Sequence, residues 1–373
     1  MARFGRQVRS IPGPAGSALL LAILLAGCAS RPGPEALATV DAPTGAKLVK
    51  IFVATNRARE TPGSNIFTVR KAQMLNFAEF TIAIPENHRN GRIELAGTSA
   101  QTRFAVVEQH SLTGASFIDR VGRFRGRKRQ DVTVFVHGFN NNFQESLFRL
   151  AQVTADSGID TAQILFSWPS HARVTGYVAD KESVTYSRDY LAALLTGLAG
   201  DPRIGRIRLA AHSMGSWLVA ETLRELRLAG KDAVIRRTEI VLAAPDIDVE
   251  VFVQQLKVIG PLSPPMKILV AKDDRALEVS GFLASSIRRV GALDVEDSRV
   301  KEAVLRARVQ VIDISELSSA DGLGHDRFVY LAGIYPNLTR HPPLARAGVF
   351  LLDTAGALVT APAHADLVLA GPD

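Results

Sequence analysis

The sequence predicts an α/β fold built on a mostly parallel central sheet with helices on both faces. Short apolar runs of strand length recur along the chain, and stretches with the apolar periodicity of amphipathic helices lie between them. From residue 131 onward strand and helix alternate, which is typical of parallel sheets. The runs are almost continuously apolar, as expected for strands that are covered on both faces.

The elements follow in order along the chain. Strands are predicted at residues 47–55, 80–84, 103–108, 131–137, 163–168, 206–211, 239–243, 267–271 and 308–314. Helices are predicted at residues 144–155, 181–198, 216–228, 249–256 and 275–290. Because ligands bind beyond the carboxyl ends of the strands in such sheets, the residues just after each strand are the candidates for chemistry.

Composition excludes several classes of protein. The chain has 373 residues, of which 47% are hydrophobic and 22% charged, an ordinary globular composition. The formal net charge is +7, and removing the three arginines of the first 27 residues leaves 41 basic against 37 acidic residues. This balance is too mild to indicate a nucleic-acid partner. The sequence also contains no metal-ligand spacing and no phosphate-binding glycine loop, so we expect no metal and no cofactor.

The first 27 residues have the features of a secretory signal peptide. Three arginines precede an apolar run at residues 18–26, which is too short for a permanent membrane span. The run ends in Leu25-Ala26-Gly27-Cys28, which resembles a bacterial lipobox, and Cys28 is the single cysteine. The resemblance implies acylation of Cys28, and acyl chains that contribute roughly 0.8 kcal/mol per buried CH₂ would anchor the protein in a membrane. The alternative is a secreted protein with an incidental cysteine.

The residues after Cys28 predict where the mature protein resides and how it is divided. Residue 29 is Ala rather than Asp, which by resemblance to lipoprotein sorting in Gram-negative bacteria favours the outer membrane of the cell envelope, facing the periplasm. Residues 28–46 are rich in Pro, Gly and Ala and predict a flexible tether. We expect the folded domain over residues 47–340 and a C-terminal extension over residues 341–373. The sequence gives no oligomeric state.

A strand, a sharp turn and a helix surround Ser213 in the run Ala211-His212-Ser213-Met214-Gly215. This is the arrangement of a nucleophile elbow, whose usual pattern is Gly-x-Ser-x-Gly. Ala211 replaces the first glycine, and both positions need small residues because the strand and helix backbones approach closely. We therefore predict Ser213 as the nucleophile. The alternative for a serine at this place is a helix N-cap.

The strand at residues 131–137 ends in His137-Gly138-Phe139, which resembles an oxyanion loop. In hydrolases with such a loop, the amide of the residue after the glycine and the amide after the nucleophile bind the developing negative charge. We therefore predict the amides of Phe139 and Met214 as the donors. Since His137 precedes the nucleophile, we expect it to hold the loop by hydrogen bonding rather than to act as a base.

The order serine, acid, histidine on this kind of sheet restricts the base. Of the chain's histidines, only His325, His341 and His364 follow the plausible acids. His325 lies in a glycine-bearing loop after the strand at residues 308–314, where a base is expected. His341 precedes two prolines and His364 lies in an alanine-rich terminal stretch, so we predict His325 as the base.

Two carboxylates follow strands and are candidates for the acid. Asp274, with Asp273 beside it, follows the strand at residues 267–271, and Asp246 follows the strand at residues 239–243. We predict Asp274, because the penultimate strand is the usual source. Its carboxylate would hold the imidazole tautomer and stabilise the imidazolium. Asp246 would then line the pocket or cap the next helix.

Together these motifs resemble those of the bacterial α/β-hydrolases grouped as domain of unknown function 900. The resemblance extends over about residues 48–335 and rests on segments 52–57, 134–141, 166–170, 177–183, 211–215, 244–248 and 274–277. It implies the α/β-hydrolase fold and a serine-hydrolase mechanism, and little about the substrate. Further pocket candidates are Arg57, which could meet an anionic substrate group, and Trp168, which together with Tyr177 could form an apolar acyl wall. A structural corner and a core aromatic residue are the alternatives.

The predicted activity is hydrolysis of carboxylic esters, of small molecules or acyl lipids, through an acyl-enzyme. The same residues could catalyse amide hydrolysis or acyl transfer. A hypothesis of another class is a non-catalytic, hydrolase-like lipoprotein that serves as an interaction module of the envelope.

Overall fold

The computed structural model describes residues 31–95, 99–283, 288–319 and 321–330, and the backbone of residues 350–352 and 358–359. The strands are β1 (Lys47–Arg59), β2 (Phe67–Ile84), β3 (Ala105–Leu112), β4 (Gln130–Val136), β5 (Ala162–Ser167), β6 (Ile204–His212), β7 (Thr238–Ala243), β8 (Lys267–Val270), β9 (Gln310–Asp313), β10 (Phe350–Leu352) and β11 (Leu358–Val359). The helices are α1 (Gly114–Gly122), α2 (Phe143–Ser157), α3 (Tyr177–Tyr186), α4 (Arg188–Gly200), α5 (Met214–Leu228), α6 (Asp232–Ile235), α7 (Val249–Ile259), α8 (Arg275–Leu283) and α9 (Ser298–Ala307).

These strands form one sheet in the order β11-β10-β9-β8-β7-β6-β4-β5-β1-β2-β3. Every neighbouring pair from β9 to β1 is parallel, and the pairs beyond them at either edge are antiparallel. The predicted fold class, a mostly parallel sheet with helices, is confirmed. The antiparallel edges are built from the long β1–β2 hairpin and β3 on one side, and from β10 and β11 on the other.

The sheet is covered on both faces, as the continuously apolar strands require. In β4, Val134 and Val136 face one apolar cluster and Phe135 faces another, because successive side chains of a strand point to opposite faces. Helices α4, α5 and α7 pack in the first cluster, and α2 packs in the second. This two-sided burial fixes the register of the central strands, and it therefore fixes where each strand ends relative to its neighbours.

Some predicted boundaries differ from the structure for identifiable reasons. The helix predicted over residues 181–198 is two helices, α3 and α4, which meet at the buried Ser187. The helix predicted over residues 275–290 ends at Leu283 in the described residues, and Arg289 has extended backbone. β2 is much longer than the predicted strand at 80–84, because it pairs along nearly the whole of β1. Pairing partners of this kind are invisible to local periodicity.

Part of the segment expected to be a tether, residues 28–46, packs on the domain. Leu37 is buried in the cluster that also holds α2, and its carbonyl accepts a 2.9 Å hydrogen bond from Gln109 Nε2. The amide of Val40 donates to the Val106 carbonyl over 3.0 Å. Within the described residues, no helix is long and apolar enough to cross a membrane. Residues 1–27, Cys28, His341 and His364 lie outside them.

Candidate active site

The turn between β6 and α5 holds Ser213 in a strained backbone conformation. Its φ is 53° and its ψ is −123°, which a residue with a side chain adopts only when the surrounding structure imposes it. The Ser213 amide donates to the Ala243 carbonyl over 2.9 Å, and its carbonyl accepts from the Asp246 amide over 3.2 Å. Hydrogen bonds to the loop after β7 thus fix the turn that presents the Ser213 side chain at the carboxyl edge of the sheet.

Close packing at this turn explains the small residues around Ser213. A Cβ atom at Gly215 would lie 2.4 Å from the His137 carbonyl oxygen, so no side chain fits there. A Cβ atom at Gly138 would lie 2.9 Å from the Ser213 Cβ. The loop after β4, which the sequence predicts as an oxyanion loop, therefore lies directly against Ser213.

The two amides predicted as oxyanion donors are placed where they can serve. Met214 is the first residue of α5, where backbone amides have no partner within the helix. Phe139 lies one residue beyond Gly138, and its ring packs edge-on against Tyr177 with centroids 5.3 Å apart. Within the described part of the chain, neither amide donates a hydrogen bond to another residue.

Asp274 and His325 form a hydrogen-bonded pair. His325 Nδ1 lies 2.7 Å from Asp274 Oδ2, and the Asp274 carboxylate is completely buried. The other carboxylate oxygen accepts from the Leu277 amide at the start of α8 over 3.0 Å. Neighbouring Asp273 instead points outward and forms a two-pronged ion pair with Arg327, 2.7 Å on each oxygen. Of the two adjacent carboxylates, only Asp274 reaches His325.

The loop that carries His325 is folded around Asp321. Asp321 Oδ1 accepts hydrogen bonds from the amides of Leu323, Gly324 and His325. The Leu323 carbonyl in turn accepts from the Arg275 amide over 3.0 Å, which joins the loop to the start of α8. Gly324 has a φ of 82°, so the turn requires glycine there. The loop is therefore fixed to the same helix start that holds Asp274.

His212, the residue before Ser213, connects this loop to the nucleophile turn. Its Nε2 donates to the His325 carbonyl oxygen over 3.0 Å, and the two rings lie 4.5 Å apart between centroids. Burial and the neighbouring His325 hold the pKa of His212 well below its usual value, so His212 is a neutral donor. For His325, burial lowers the pKa, but the charge and hydrogen bond of Asp274 outweigh it, and the pKa lies above its ordinary value.

Asp246, the other candidate acid, has a different set of partners. It is buried and accepts from Tyr177 Oη over 3.0 Å and from Ser280 Oγ over 2.8 Å. The buried guanidinium of Arg289 completes the set, with Nε 3.2 Å from Asp246 Oδ1. The next helix, α7, is capped by Asp248 rather than by Asp246. Asp246 is thus the centre of a buried ion-pair network behind the nucleophile turn.

His137 and Trp168 brace the oxyanion loop. Their rings stack with centroids 4.9 Å apart, and Trp168 Nε1 donates to the His137 carbonyl over 2.8 Å. The His137 ring nitrogens lie 2.9 Å from the Gly138 carbonyl oxygen and 3.1 Å from that of Trp168. Burial, with the positive charge of Arg57, lowers the pKa of His137 to about 3. Both side chains are enclosed, so they hold the loop rather than face a substrate.

The guanidinium of Arg57, considered for an anionic substrate group, is 1% exposed and surrounded by protein oxygens. Nε donates to Ser167 Oγ over 3.0 Å, and the terminal nitrogens donate to the carbonyls of Ser170 and Asn141. These bonds join β1 to the loops after β5 and β4. Arg57 therefore connects these two loops through buried hydrogen bonds.

Arg289, Ser280 and His212 lie around the site, and no local pattern in the sequence predicts a role for them. Tyr177, predicted with Trp168 as part of an apolar acyl wall, packs its ring on Phe139 and donates its hydroxyl hydrogen to Asp246. Arg289 and Ser280 lie within a stretch whose periodicity predicts a single amphipathic helix. Their roles depend on contacts across the fold, such as the 112 positions of sequence that separate Arg289 from Tyr177.

Several solved structures show a distant likeness to the chain. They include a structure of fungal esterases from Rhizomucor miehei (11% identity, 88% of this chain and 100% of that chain, TM-score 0.32). Others are EstFA in an FE-lacking apo form (13%, 86% and 91%, TM-score 0.32) and Plasmodium falciparum PdxK with AMP-PNP and PL (15%, 50% and 64%, TM-score 0.28). At TM-scores this low, the likeness supports no conclusion about activity. No curated protein matches the chain.

Family membership rests on the sequence itself. The family described as alpha/beta hydrolase of unknown function (DUF900) matches residues 115–341, which is more than half of the chain. The match contains Ser213, Asp274 and His325, and it begins after the β1–β2 hairpin that the resemblance also covered. The parallel sheet and the turn at Ser213 are those expected of such a protein. The chain belongs to the DUF900 family of α/β hydrolases.

Proposed function

We propose that this α/β hydrolase cleaves carboxylic esters with Ser213 as nucleophile, His325 as base and Asp274 as acid. The observation that carries the proposal is the 2.7 Å hydrogen bond between His325 Nδ1 and the buried Asp274 carboxylate. The His325 loop is bonded to His212, the residue next to Ser213. A histidine oriented by a carboxylate beside a serine in a strained turn is the arrangement that activates a hydroxyl group.

The reaction follows from the roles of these groups. His325 Nε2 takes the proton of Ser213 Oγ, which attacks the ester carbonyl carbon. The amides of Phe139 and Met214 stabilise the oxyanion, and one such donor contributes about 10²- to 10³-fold to the rate. The ester C–O bond then breaks, His325 protonates the departing alcohol, and the acyl group remains on Ser213. Water, deprotonated by His325, releases the acid and restores Ser213.

A fluorophosphonate probe tests the nucleophile directly. We expect wild-type protein to react, S213A to lose labelling, and S298A to label like wild type, because Ser298 is exposed at the start of α9. Turnover of a good ester should fall about 10⁵- to 10⁶-fold in S213A. Undiminished labelling of S213A contradicts the assignment. A folded wild type that never reacts supports the non-catalytic alternative.

A panel of substrates tests the reaction class. Esters of increasing acyl length, each paired with the matching amide, should be assayed on wild type and S213A together. We expect ester turnover that depends on Ser213 and exceeds amide turnover. Amide turnover equal to or greater than ester turnover contradicts an esterase and supports an amidase that uses the same residues.

We also propose that the protein is a bacterial lipoprotein, held by acyl chains on Cys28 in the outer membrane and facing the periplasm. The supports are the lipobox resemblance, the single cysteine and Ala29 after it. Expression of wild type and C28S with a radiolabelled fatty acid tests this. The wild type should incorporate label and fractionate with membranes, and C28S should do neither. Unchanged fractionation of C28S contradicts the anchor.

A further inference from the structure

The start of the mature chain is bound to the oxyanion loop. Arg31 Nη1 donates to the carbonyls of Asn140 and Ala172 over 3.0 and 2.9 Å, and Nη2 donates to Asn140 Oδ1 over 3.1 Å. The Pro32 carbonyl accepts from Asn142 Nδ2 over 2.9 Å. Residues 31 and 32 therefore bind the loop that follows β4, one residue beyond the Phe139 amide.

This attachment limits the distance between Cys28 and the site. Three peptide bonds separate Cys28 from Arg31 in the sequence, so their Cα atoms are at most about 11 Å apart. A free tether of 19 residues, as expected from composition, would give a root-mean-square reach of roughly 24 Å. Because the chain is held from Arg31 onward, any acyl chains on Cys28 enter the bilayer close to the carboxyl edge of the sheet.

The surface beside Arg31 is suited to a membrane interface. Val174 and Val178 are 39% and 73% exposed, and they lie two and six residues beyond Ala172, whose carbonyl binds Arg31. Arg173, which lies between Ala172 and Val174 in the sequence, is also exposed. We name Arg31, Arg173, Val174 and Val178 the mouth surface. Because Arg31 is itself paired with Glu145 over 3.5 Å, this surface combines the apolar contact of the exposed valines with the positive charge of Arg173, which can attract anionic lipid headgroups.

The most basic segment of the chain lies at the other edge of the sheet. Residues 120–129 hold six arginines and lysines and directly precede β4, whereas the oxyanion loop follows it. A strand of seven residues separates the two edges by about 23 Å. Arg125 and Arg127 are also paired with Asp160. This basic segment therefore faces away from a membrane that contacts the mouth surface.

We infer that the mouth surface rests on the bilayer that holds Cys28 and that the substrate is an acyl lipid of that same membrane. This inference rests on the proposed ester hydrolysis and on acylation of Cys28. The lipid ester C–O bond breaks, and its acyl group passes to Ser213 Oγ and then to water. The products are a fatty acid and a lysolipid that bears the freed hydroxyl group.

Reconstitution in vesicles tests whether the lipid is taken from the protein's own membrane. Acylated full-length protein is placed in vesicles of phosphatidylethanolamine and phosphatidylglycerol with a fluorescent ester phospholipid, and equal vesicles without protein carry a second colour. We expect hydrolysis in the protein's own vesicles to exceed hydrolysis in the others at least about tenfold, because the tether is short. Equal hydrolysis of both colours, with soluble-ester turnover intact, overturns the inference. Absence of soluble-ester turnover overturns the proposed function instead.

A pair of surface variants tests the orientation. V178D places a charge on the mouth surface, and K128E changes charge at an exposed position of the opposite edge. We expect the ratio of phospholipid to soluble-ester turnover to fall about tenfold in V178D. The free energy of burying one valine side chain in the membrane corresponds to about a tenfold change in binding. K128E should leave the ratio unchanged. An unchanged ratio in V178D, or an equal fall in K128E, overturns the orientation. Soluble-ester turnover and the melting temperature of each variant verify its folding.

Discussion

Asp246 and Asp274 are two buried carboxylates with similar positions and different partners. Each follows one of two neighbouring parallel strands, β7 and β8, and each is at most 1% exposed. Asp274 meets an imidazole and a helix amide, whereas Asp246 meets a guanidinium and two hydroxyl groups. Burial of a carboxylate beyond a strand therefore does not define its role. Its role depends on which side chain from elsewhere in the fold contacts it.

The partners give the two carboxylates different chemistry. The charge of Asp246 is balanced by the buried guanidinium of Arg289, and this pair takes no part in the proposed proton transfer. In the proposed mechanism the charge of Asp274 is balanced when His325 gains a proton from Ser213. Under that proposal Asp274 stabilises a charge that forms during the reaction, whereas Asp246 has a structural role in the ion pair with Arg289.

The largest effect expected from this comparison is on turnover in D274N. We expect ester turnover to fall about 10³- to 10⁴-fold, because an amide in place of the carboxylate fails to hold the imidazole tautomer and to stabilise the imidazolium. Steady-state kinetics measure this, with circular dichroism to verify folding. D246N is the matched control and should lose far less turnover. An equal loss in a folded D246N would reverse the assignment of the acid.

The next effect is on stability, and here D246N is expected to lose more than D274N. D246N leaves the buried Arg289 charge uncompensated, so we expect the free energy of unfolding to fall by about 3–5 kcal/mol. D274N should lose less, because His325 can become neutral. Urea denaturation of both variants measures the difference. A second substitution, R289M, should restore part of the loss in D246N. A fall below about 1 kcal/mol in D246N would contradict the structural role of the pair.

The pH dependence of catalysis gives a smaller effect that separates the two carboxylates. The base must be neutral, so kcat/KM should rise with pH through the pKa of His325, above the ordinary value of 6.5. Asp274 is the main cause of the raised pKa, and Asp246 adds a weaker, distant contribution. The pH at the midpoint of the kcat/KM profile should therefore be much lower in D274N and slightly lower in D246N. An unmoved midpoint in D274N would contradict the pairing.

The same shift has a consequence for stability. Since the folded-state pKa of His325 is raised, its protonation stabilises the fold below pH 6.5. This contribution is lost as the pH rises through the folded-state pKa. The buried His137 and His212 act in the opposite sense, because their lowered pKa values oppose protonation in the fold, so their effect appears as the pH falls below 6.5.

The sequence predicted what local pattern determines. The turn at Ser213 and the strands before Gly138 and Asp274 follow from apolar periodicity, small residues and chain order. The sequence left Asp246 as an alternative acid, since both carboxylates have the same local context. Arg289 was missed because its partner Asp246 is 43 positions away in the sequence, and because periodicity placed Arg289 in a helix, although its backbone is extended. Composition likewise predicted a tether where tertiary contacts hold Arg31 and Leu37.

The smallest effect concerns His212, whose ring packs beside that of the predicted base His325 and whose hydrogen bond goes to the His325 backbone. Its Nε2 donates to the His325 carbonyl, so we treat it as a positioning residue. In H212A, loss of one hydrogen bond of about 1 kcal/mol should lower kcat about fivefold and leave KM unchanged. H212Q carries an amide donor at similar reach and should recover part of the loss in kcat. If His212 only filled space, a hydrogen-bond donor at this position would not restore kcat. Equal kcat values for H212A and H212Q would show that His212 contributes packing rather than the hydrogen bond. The position of the His325 loop would then depend on its hydrogen bonds to Asp321 and to the start of α8.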